Sequence, residues 1–509
     1  MDLPFPPTDW RPTRPPEAGD EDLTARLPDL MRTLTAQTKA LYGHPYDPAG
    51  WLQRAVTLTE LRYPELAVGD AHKALLLCRG LIGRLVEGGW GLGWGMGFWM
   101  LEERDGDGDD CADGDGRGGR VEKKNDGTES DSDSDSDVEL ALGQRIADLQ
   151  AEAHRVEVQN MSAFPACEEG TYRLRRYPWM RAEHRVRRDE LLGVLNEEFA
   201  TRTAEKGHKG PVCVVRRHAF GKFGVDGRES HDVLGVFATK DLPKKTPLFV
   251  DQSRTWGCIG PGPGGSVLNL RGGMGCSDPL HPNMSSDDAA DDLRWVRERA
   301  GVYAADILTL CRFLLCCRRD GVGHPLDHSL VARLTPMYRR EKVLLFSLEQ
   351  DIAIPMDWLQ HLGTDVFANA NYDTWVLFEM RARGENNSWS DPLHNCVSPL
   401  FSLFNHSCEP NVRWRIERDC VTLTVSTQKE VKAGEQLLVV YDQYLEDDPA
   451  RERRKRMWRW LDGDCRCTRC VREEEEEVGE AEAARPSVNG TGVLTWDTAE
   501  KPVLPEDLI

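Results

Sequence analysis

The segment Cys465-Arg466-Cys467-Thr468-Arg469-Cys470 places three thiols on one short stretch. A C-x-C-x-x-C spacing brings the sulfurs close enough to share one tetrahedral zinc, with Zn–S bonds of about 2.3 Å. Three ligands do not close a structural site. A fourth must come from elsewhere, and Cys408, in Asn405-His406-Ser407-Cys408, is the best candidate. The competing reading is three unrelated thiols in a tail rich in Trp and Arg, but such close spacing is uncommon by chance. Tyr441 stands out for another reason: it ends the apolar run 437–440 and precedes Asp442, where the chain leaves its sheet. Taken alone, Tyr441 reads as a core tyrosine with its hydroxyl at the surface. Asn405 and His406, taken alone, read as ordinary loop caps.

These residues need elements to hold them. Val412, Trp414 and Ile416 alternate with Arg413, Arg415 and Glu417. Val421, Leu423 and Val425 alternate with Thr422, Thr424 and Ser426. Period-two alternation predicts two half-buried strands, joined by a turn near Arg418-Asp419. The runs 212–215, 248–250 and 437–440 predict further strands, and the apolar stretch 302–317, interrupted by Asp306 and Arg312, predicts a buried helix.

Three signals therefore follow in a fixed order: Leu234-Gly235-Val236-Phe237-Ala238, then Asn405-His406-Ser407-Cys408-Glu409-Pro410-Asn411, then Gly434-Glu435-Gln436-Leu437 running to Tyr441, with the cysteines behind. The combination resembles the SET domain of protein lysine methyltransferases with a post-SET cysteine motif. The likeness is closest to the SET-and-MYND class and fungal-type SET proteins. The resemblance implies an α+β chain: a β-rich SET fold with a pseudoknot and a long helical insertion, preceded by an N-terminal helical region. It implies that Gly235, Val236 and Phe237 offer backbone groups to S-adenosyl-L-methionine, that Ser402, Leu403, Asn405 and His406 line the same pocket, and that Asn387 is the upstream cofactor-contacting asparagine. Tyr441 matches the tyrosine at the methyl-transfer pore. Cys408, Cys465, Cys467 and Cys470 match the structural zinc ligands. The partner implied is a protein carrying a target lysine, histone or non-histone.

The sequence also departs from that pattern. The glycine-x-glycine of the family reads Val233-Leu234-Gly235 here. Cys258, Cys276, His281 and Cys311 lack the paired spacing of a MYND finger, and Gly463 stands where an aromatic is common, with Trp460 the nearest substitute. The altered glycine loop keeps open a second reading, a catalytically weak SET-fold interaction protein acting through helical and acidic segments.

Upstream, Trp51, Leu52, Ala55, Leu58 and Leu61 recur at helical spacing, Tyr63-Pro64 breaks the helix, and Leu66 to Leu77 marks another. The pair, 51–87, is either a tetratricopeptide-like hairpin or an ordinary helix pair; a single repeat cannot bury its own apolar face. The predicted organisation is a flexible arm at 1–24, a helical region at 25–101, an acidic disordered segment at 102–139 and a helical linker at 140–210. The SET domain follows at 211–444 with an insertion at about 255–395, then a post-SET zinc segment at 445–472 and an acidic disordered tail at 473–509.

The chain has 509 residues and a formal net charge of −21. Residues 102–139 hold 16 acidic and 5 basic residues, and residues 473–482 hold seven acidic and no basic ones. These two segments carry nearly all the excess; the rest is close to neutral. A chain this acidic is a poor general nucleic-acid binder, which needs a basic face. No run of 18 apolar residues predicts a membrane span, and the N-terminus lacks a signal-peptide pattern. Fifteen cysteines are too few for a disulfide scaffold of this length, so a reducing compartment, cytoplasm or nucleus, is expected. Arg453-Arg454-Lys455-Arg456 reads either as a nuclear signal or as a helix face leading into the cysteine loop.

Overall fold

The computed structural model describes residues 21–86, 132–162, 171–173, 177–217, 233–253, 255–258, 295–296, 299–300, 304–336, 343–390, 394–417, 422–445, 447–461, 464–483, 487–488 and 494–495. Residues 1–20 of the expected arm, the uncharged Gly- and Trp-rich run 88–101, residues 102–131 of the acidic segment, Gly463 and most of the tail beyond 483 lie outside them, and the last four residues of the arm expected at 1–24 are helical, because the first helix already starts at Glu21. The chain divides into a helical unit, Pro16–Ala163, and a larger unit that takes in Phe164–Ile509.

The helical unit contains α1 (Glu21–Gly43), α2 (Pro48–Glu60), α3 (Pro64–Val86) and α4 (Ser132–Ser162). Pro48 occupies the first turn of α2, and the Asp47 carboxylate caps it by accepting from the Ala49 N–H at 3.0 Å. Trp51, Ala55 and Leu58 from α2 and Leu66, Ala67, Ala71 and Ala74 from α3 are buried, as are Ile146, Ala153 and Val156 of α4. The hairpin thus buries its apolar face against other helices of its own unit. Arg54 donates two bonds to Asp70 at 2.6 and 2.7 Å inside this core, so neither charge is left unpaired. The acidic segment expected to be disordered through 139 is helical from Ser132. Serines and aspartates favour helix starts, and negative charge there complements the helix dipole.

The larger unit is α+β. The linker expected to be helical across 140–210 is not continuous: Thr171–Arg173 forms β1, which pairs antiparallel with β6 (Val343–Leu345). A β-branched and an aromatic residue sit readily on a pleated strand, and pairing with a distant segment overrides the local helical pattern. Helices α5 (Ala182–Arg185) and α6 (Asp189–Ala204) follow. Strand β2 (Cys213–Arg217) pairs antiparallel with β3 (Leu234–Ala238), which is buried along its whole length. Strand β4 (Pro247–Gln252) joins a three-stranded antiparallel sheet in the order β10 (Val412–Ile416), β11 (Thr422–Thr427), β4. In β11, Leu423, Val425 and Thr427 point inward, in step with the alternation in the sequence.

The insertion, expected to be helical, starts and ends with strands: β5 (Thr255–Cys258) pairs with β8 (His394–Val397), and β7 (Ser388–Ser390) flanks β8. Helices α7 (Ala304–Arg319), α8 (Ser329–Ala332), α9 (Ile354–His361) and α10 (Thr374–Asn387) make it largely helical. The core beneath the site is a triad of buried rings: Phe199 of α6 lies 5.3 Å from Phe249 and 6.4 Å from Phe404, and Phe249 lies 5.9 Å from Phe404. Finally, α11 (Ala450–Leu461) and α12 (Thr468–Ala483) bracket the cysteine loop. The basic run 453–456 is a helix segment of α11. The expected disordered tail is helical from 473 to 483, because Glu473 and Glu474 are ion-paired to arginines.

Candidate active site and metal centre

Strand β9 is only Asn405–His406, and it runs parallel to β12 (Leu438–Val439). Ser407 N–H continues the pairing to the Val439 carbonyl at 2.8 Å. On its other side, the segment leading to Tyr441 bonds to β3: Leu437 N–H donates to Val236 O at 2.8 Å, and Ala238 N–H donates to Glu435 O at 2.9 Å. The chain from Glu435 to Tyr441 is therefore clamped between the Gly235 strand and the Asn405 strand. Asn411 fastens it further, donating to Glu435 Oε1 and Gln436 O and accepting from Leu438 N–H at 2.8 Å. Three stretches far apart in sequence meet at one point.

Tyr441 sits where they meet. Its hydroxyl donates to the Phe404 carbonyl at 2.9 Å, and its ring lies between His406 at 5.2 Å and Trp460 of α11 at 6.4 Å. Burial pushes the phenol well above its ordinary range, so it stays protonated and serves as a donor rather than a base. Asn405 donates from Nδ2 to the Leu234 carbonyl at 2.9 Å, joining the two halves of the cradle.

Gly235 lies at the tightest approach. A Cβ there would stand 2.5 Å from Gln436 Nε2, 3.1 Å from the Phe237 ring and 3.2 Å from Asn405 Nδ2. Gln436 Nε2 is itself a buried donor with no acceptor among the described residues. A cradle this tight around Gly235, next to an unused donor, fits a polar small molecule whose oxygen or nitrogen accepts from the amide.

Ser402 and Leu403 form the short 3-10 turn Phe401–Leu403 ahead of β9. Asp251 of β4, which no local motif singles out, fixes the start of that turn. One oxygen, Oδ2, accepts from both Leu400 N–H and Phe401 N–H at 2.8 Å, and the side chain is almost wholly buried. Burial raises its pKa to about 6 against the two N–H donors, which lower it. Asn387 is used differently from the other residues expected at the cofactor pocket. It ends α10, and its amide donates to the carbonyls of Thr335 and Arg383 at 2.8 and 2.7 Å. A cavity of about 660 Å³ lined by His184, Arg188, Leu191, Asp327, Thr335 and Arg383 includes none of the residues expected at the site.

The four cysteines do converge. The sulfurs of Cys408, Cys465, Cys467 and Cys470 all lie within 4.8 Å of one another, with Cys408–Cys465 at 3.9 Å and Cys408–Cys470 at 3.6 Å. A tetrahedron with bonds of about 2.3 Å has edges of about 3.8 Å, so the spacing is compatible with four thiolates around one zinc ion and is too long for a disulfide. His406 reaches this cluster, its Nε2 3.2 Å from Cys408 Sγ, while its Nδ1 accepts from the Tyr441 N–H at 3.2 Å. With Nδ1 an acceptor, the ring proton belongs on Nε2, pointing at sulfur. No helix among the described residues is long and apolar enough to cross a membrane.

Residues 233–442 match the family described as SET domain. Over 113 residues the chain is 41% identical to the histone-lysine N-methyltransferase SET5 of Eremothecium gossypii, covering 22% of each chain. Over 90 residues it is 36% identical to the SET5 protein of Candida glabrata, covering 18% of this chain and 17% of that one. A SET and MYND domain-containing protein of Dictyostelium discoideum is 33% identical over 73 residues, 14% of each. The chain thus spans less than a quarter of the length of these relatives. A solved structure, the SET domain of LSMT bound to lysine and AdoHcy, shares 16% identity with a TM-score of 0.23, covering 54% of this chain and 58% of that one. The matched span contains the Gly235 strand, the Asn405–His406 strand and the Tyr441 segment interleaved as described, and residues 233–442 of this chain are a SET domain.

Proposed function

We propose that the chain is an S-adenosyl-L-methionine-dependent protein lysine N-methyltransferase acting on a histone or non-histone protein. The observation that carries this reading is the placement of the Tyr441 hydroxyl on the Phe404 carbonyl, directly before the Asn405–His406 strand and inside the SET match. S-adenosyl-L-methionine, when bound, supplies an electrophilic methyl group. The protein's own residues provide a place for it and a way to aim a lysine. Gly235, Val236 and Phe237 would present backbone along one wall, with Ser402, Leu403, Asn405 and His406 along the other. Asn387 would join them from the end of α10.

A lysine amine must be neutral to act as a nucleophile, and desolvation in a narrow channel lowers its pKa. Tyr441, protonated and fixed, would orient the amine rather than remove its proton. Orientation of this kind is worth several powers of ten in rate. Cys408, Cys465, Cys467 and Cys470 would hold a structural zinc that fastens α11 and α12 beside Tyr441. The cytoplasm, the nucleus or both would be the working compartment, and no nucleic-acid or membrane partner is needed.

The test is transfer of a labelled methyl group to histones and to whole-cell extract. Wild type should label a protein band and Tyr441→Phe should not, while both bind the cofactor by calorimetry. Val233 in place of a glycine favours the second reading, a SET-fold interaction protein with weak catalysis. Zinc-loaded protein that takes up no cofactor would end the first reading.

A further inference from the structure

We infer that Arg453, oriented by Glu473, is an outer-shell residue of the four-cysteine metal site, and that the start of the acidic run belongs to that site. The inference rests on the reading of the cysteines as metal ligands. Arg453 lies near the start of a strongly basic helix, yet it is only 1% exposed. Its Nη2 donates to Cys470 Sγ at 3.4 Å and to Glu473 Oε2 at 2.7 Å, and its Nη1 donates to the Asp448 carbonyl. A guanidinium buried against a sulfur makes sense when that sulfur is a thiolate, since an N–H donor then meets a negative acceptor.

The surrounding groups agree. Arg454 donates to the carbonyls of Cys465 and Cys470 and pairs with Glu474 at 2.8 Å. Arg469 donates to the Cys408 carbonyl and pairs with Glu473 at 2.7 Å. Arg466 pairs with Glu474 at 3.3 Å. Of these arginines Arg453 alone is buried, and it sits between the Glu473 carboxylate on one side and the Cys470 sulfur on the other. A buried charge is tolerated only when it is compensated. Helix α11 therefore meets α12 and the cysteine loop through Arg453 and Arg454, and the two glutamates at the head of the acidic run are structural parts of that contact. Removing an outer-shell partner typically weakens metal binding by about 10–100-fold.

The experiment uses the full chain loaded with zinc. Release is followed by absorbance with excess chromogenic chelator, and the cobalt-substituted protein is examined for its thiolate-to-metal charge-transfer band. Arg453→Met should release zinc on the order of 10–100 times faster. Arg453→Lys and Glu473→Gln should be intermediate, and each should move the cobalt band, which a purely structural contact between helices would leave in place. Should Arg453→Met fail to fold, the two conservative variants decide. Wild-type release rates and an unmoved cobalt band in Arg453→Lys and Glu473→Gln would overturn the inference. Wild-type protein that takes up neither metal would overturn the underlying metal reading instead.

Discussion

His406 presents Nε2 to the sulfur of Cys408 at 3.2 Å. Its other nitrogen receives the backbone N–H of Tyr441. One buried imidazole therefore joins the four-cysteine cluster to the residue expected at the reacting centre. Its orientation is set from both sides.

His406→Ala should accordingly harm two places at once. It leaves the Tyr441 N–H without its acceptor and removes the donor to sulfur. Leaving a buried polar group unsatisfied costs about 1–3 kcal/mol. Urea denaturation of the zinc-loaded protein should register that loss, and hydrogen exchange should quicken at residues 438–441. Exchange unchanged at 438–441 would mean that the ring does not hold the tyrosine segment.

Tyr441→Phe separates chemistry from folding. The hydroxyl makes one hydrogen bond, to Phe404 O, so the stability loss should be about 0.5–1.5 kcal/mol. The ring contacts with His406 and Trp460 survive. Methyl transfer should fall by roughly a hundredfold or more while the cofactor dissociation constant changes little, the pattern of a lost transition-state contact. Equal loss of both would point to a collapsed pocket.

Much of this site is legible in the sequence because its parts are short local motifs. The alternation at 412–416 and 422–427 reports a half-buried sheet directly, since period two is a property of the strand itself. The cysteine spacing reports itself in the same way. Asp251 and Arg453 are not legible. Asp251 sits in an apolar strand, and its partners are N–H groups some 150 residues on, which no local pattern encodes. Arg453 looks like one of several arginines on a polar helix, and only α12 folding back makes it a buried partner of Cys470. The acidic tail reads as disordered when repulsion within the run is weighed alone; the arginines of α11 and the cysteine loop offset that repulsion in the fold.

Gly235→Ala tests the cradle. The added Cβ would meet Gln436 Nε2 at 2.5 Å, so the amide must swing away, and the Phe237 ring and Asn405 amide, at 3.1 and 3.2 Å, must also give way slightly. Overpacking of this kind costs about 1–3 kcal/mol. Cofactor affinity should drop with it, because the displaced amide is the unused donor. In a Gln436→Ala background the same substitution should cost clearly less, since its nearest obstacle is gone. A double-mutant cycle by thermal denaturation measures the difference. Strict additivity would show that Gln436 is not what restricts residue 235.

Asp251 should give the protein a pH dependence opposite to that of an ordinary surface carboxylate. Its pKa is about 6 in the folded protein, against the ordinary value of 3.8. The folded state therefore binds this proton more tightly than the unfolded state. The stability it contributes is complete below about pH 4 and is lost as pH rises through about 6. At about 1.4 kcal/mol per pH unit, that difference in proton affinity is worth about 3 kcal/mol. Asp251→Asn should remove that slope yet keep the turn, because a single oxygen already accepts both N–H groups and an amide oxygen can replace it. Asp251→Ala should remove the slope and also strand Leu400 N–H and Phe401 N–H, a further loss of about 1–3 kcal/mol for each. Denaturant midpoints of the three proteins, measured at intervals of about one pH unit from about pH 4 to about pH 7, distinguish these cases. If the asparagine variant kept the wild-type slope, the titration would belong to another group, and Asp251 would be charged throughout this range.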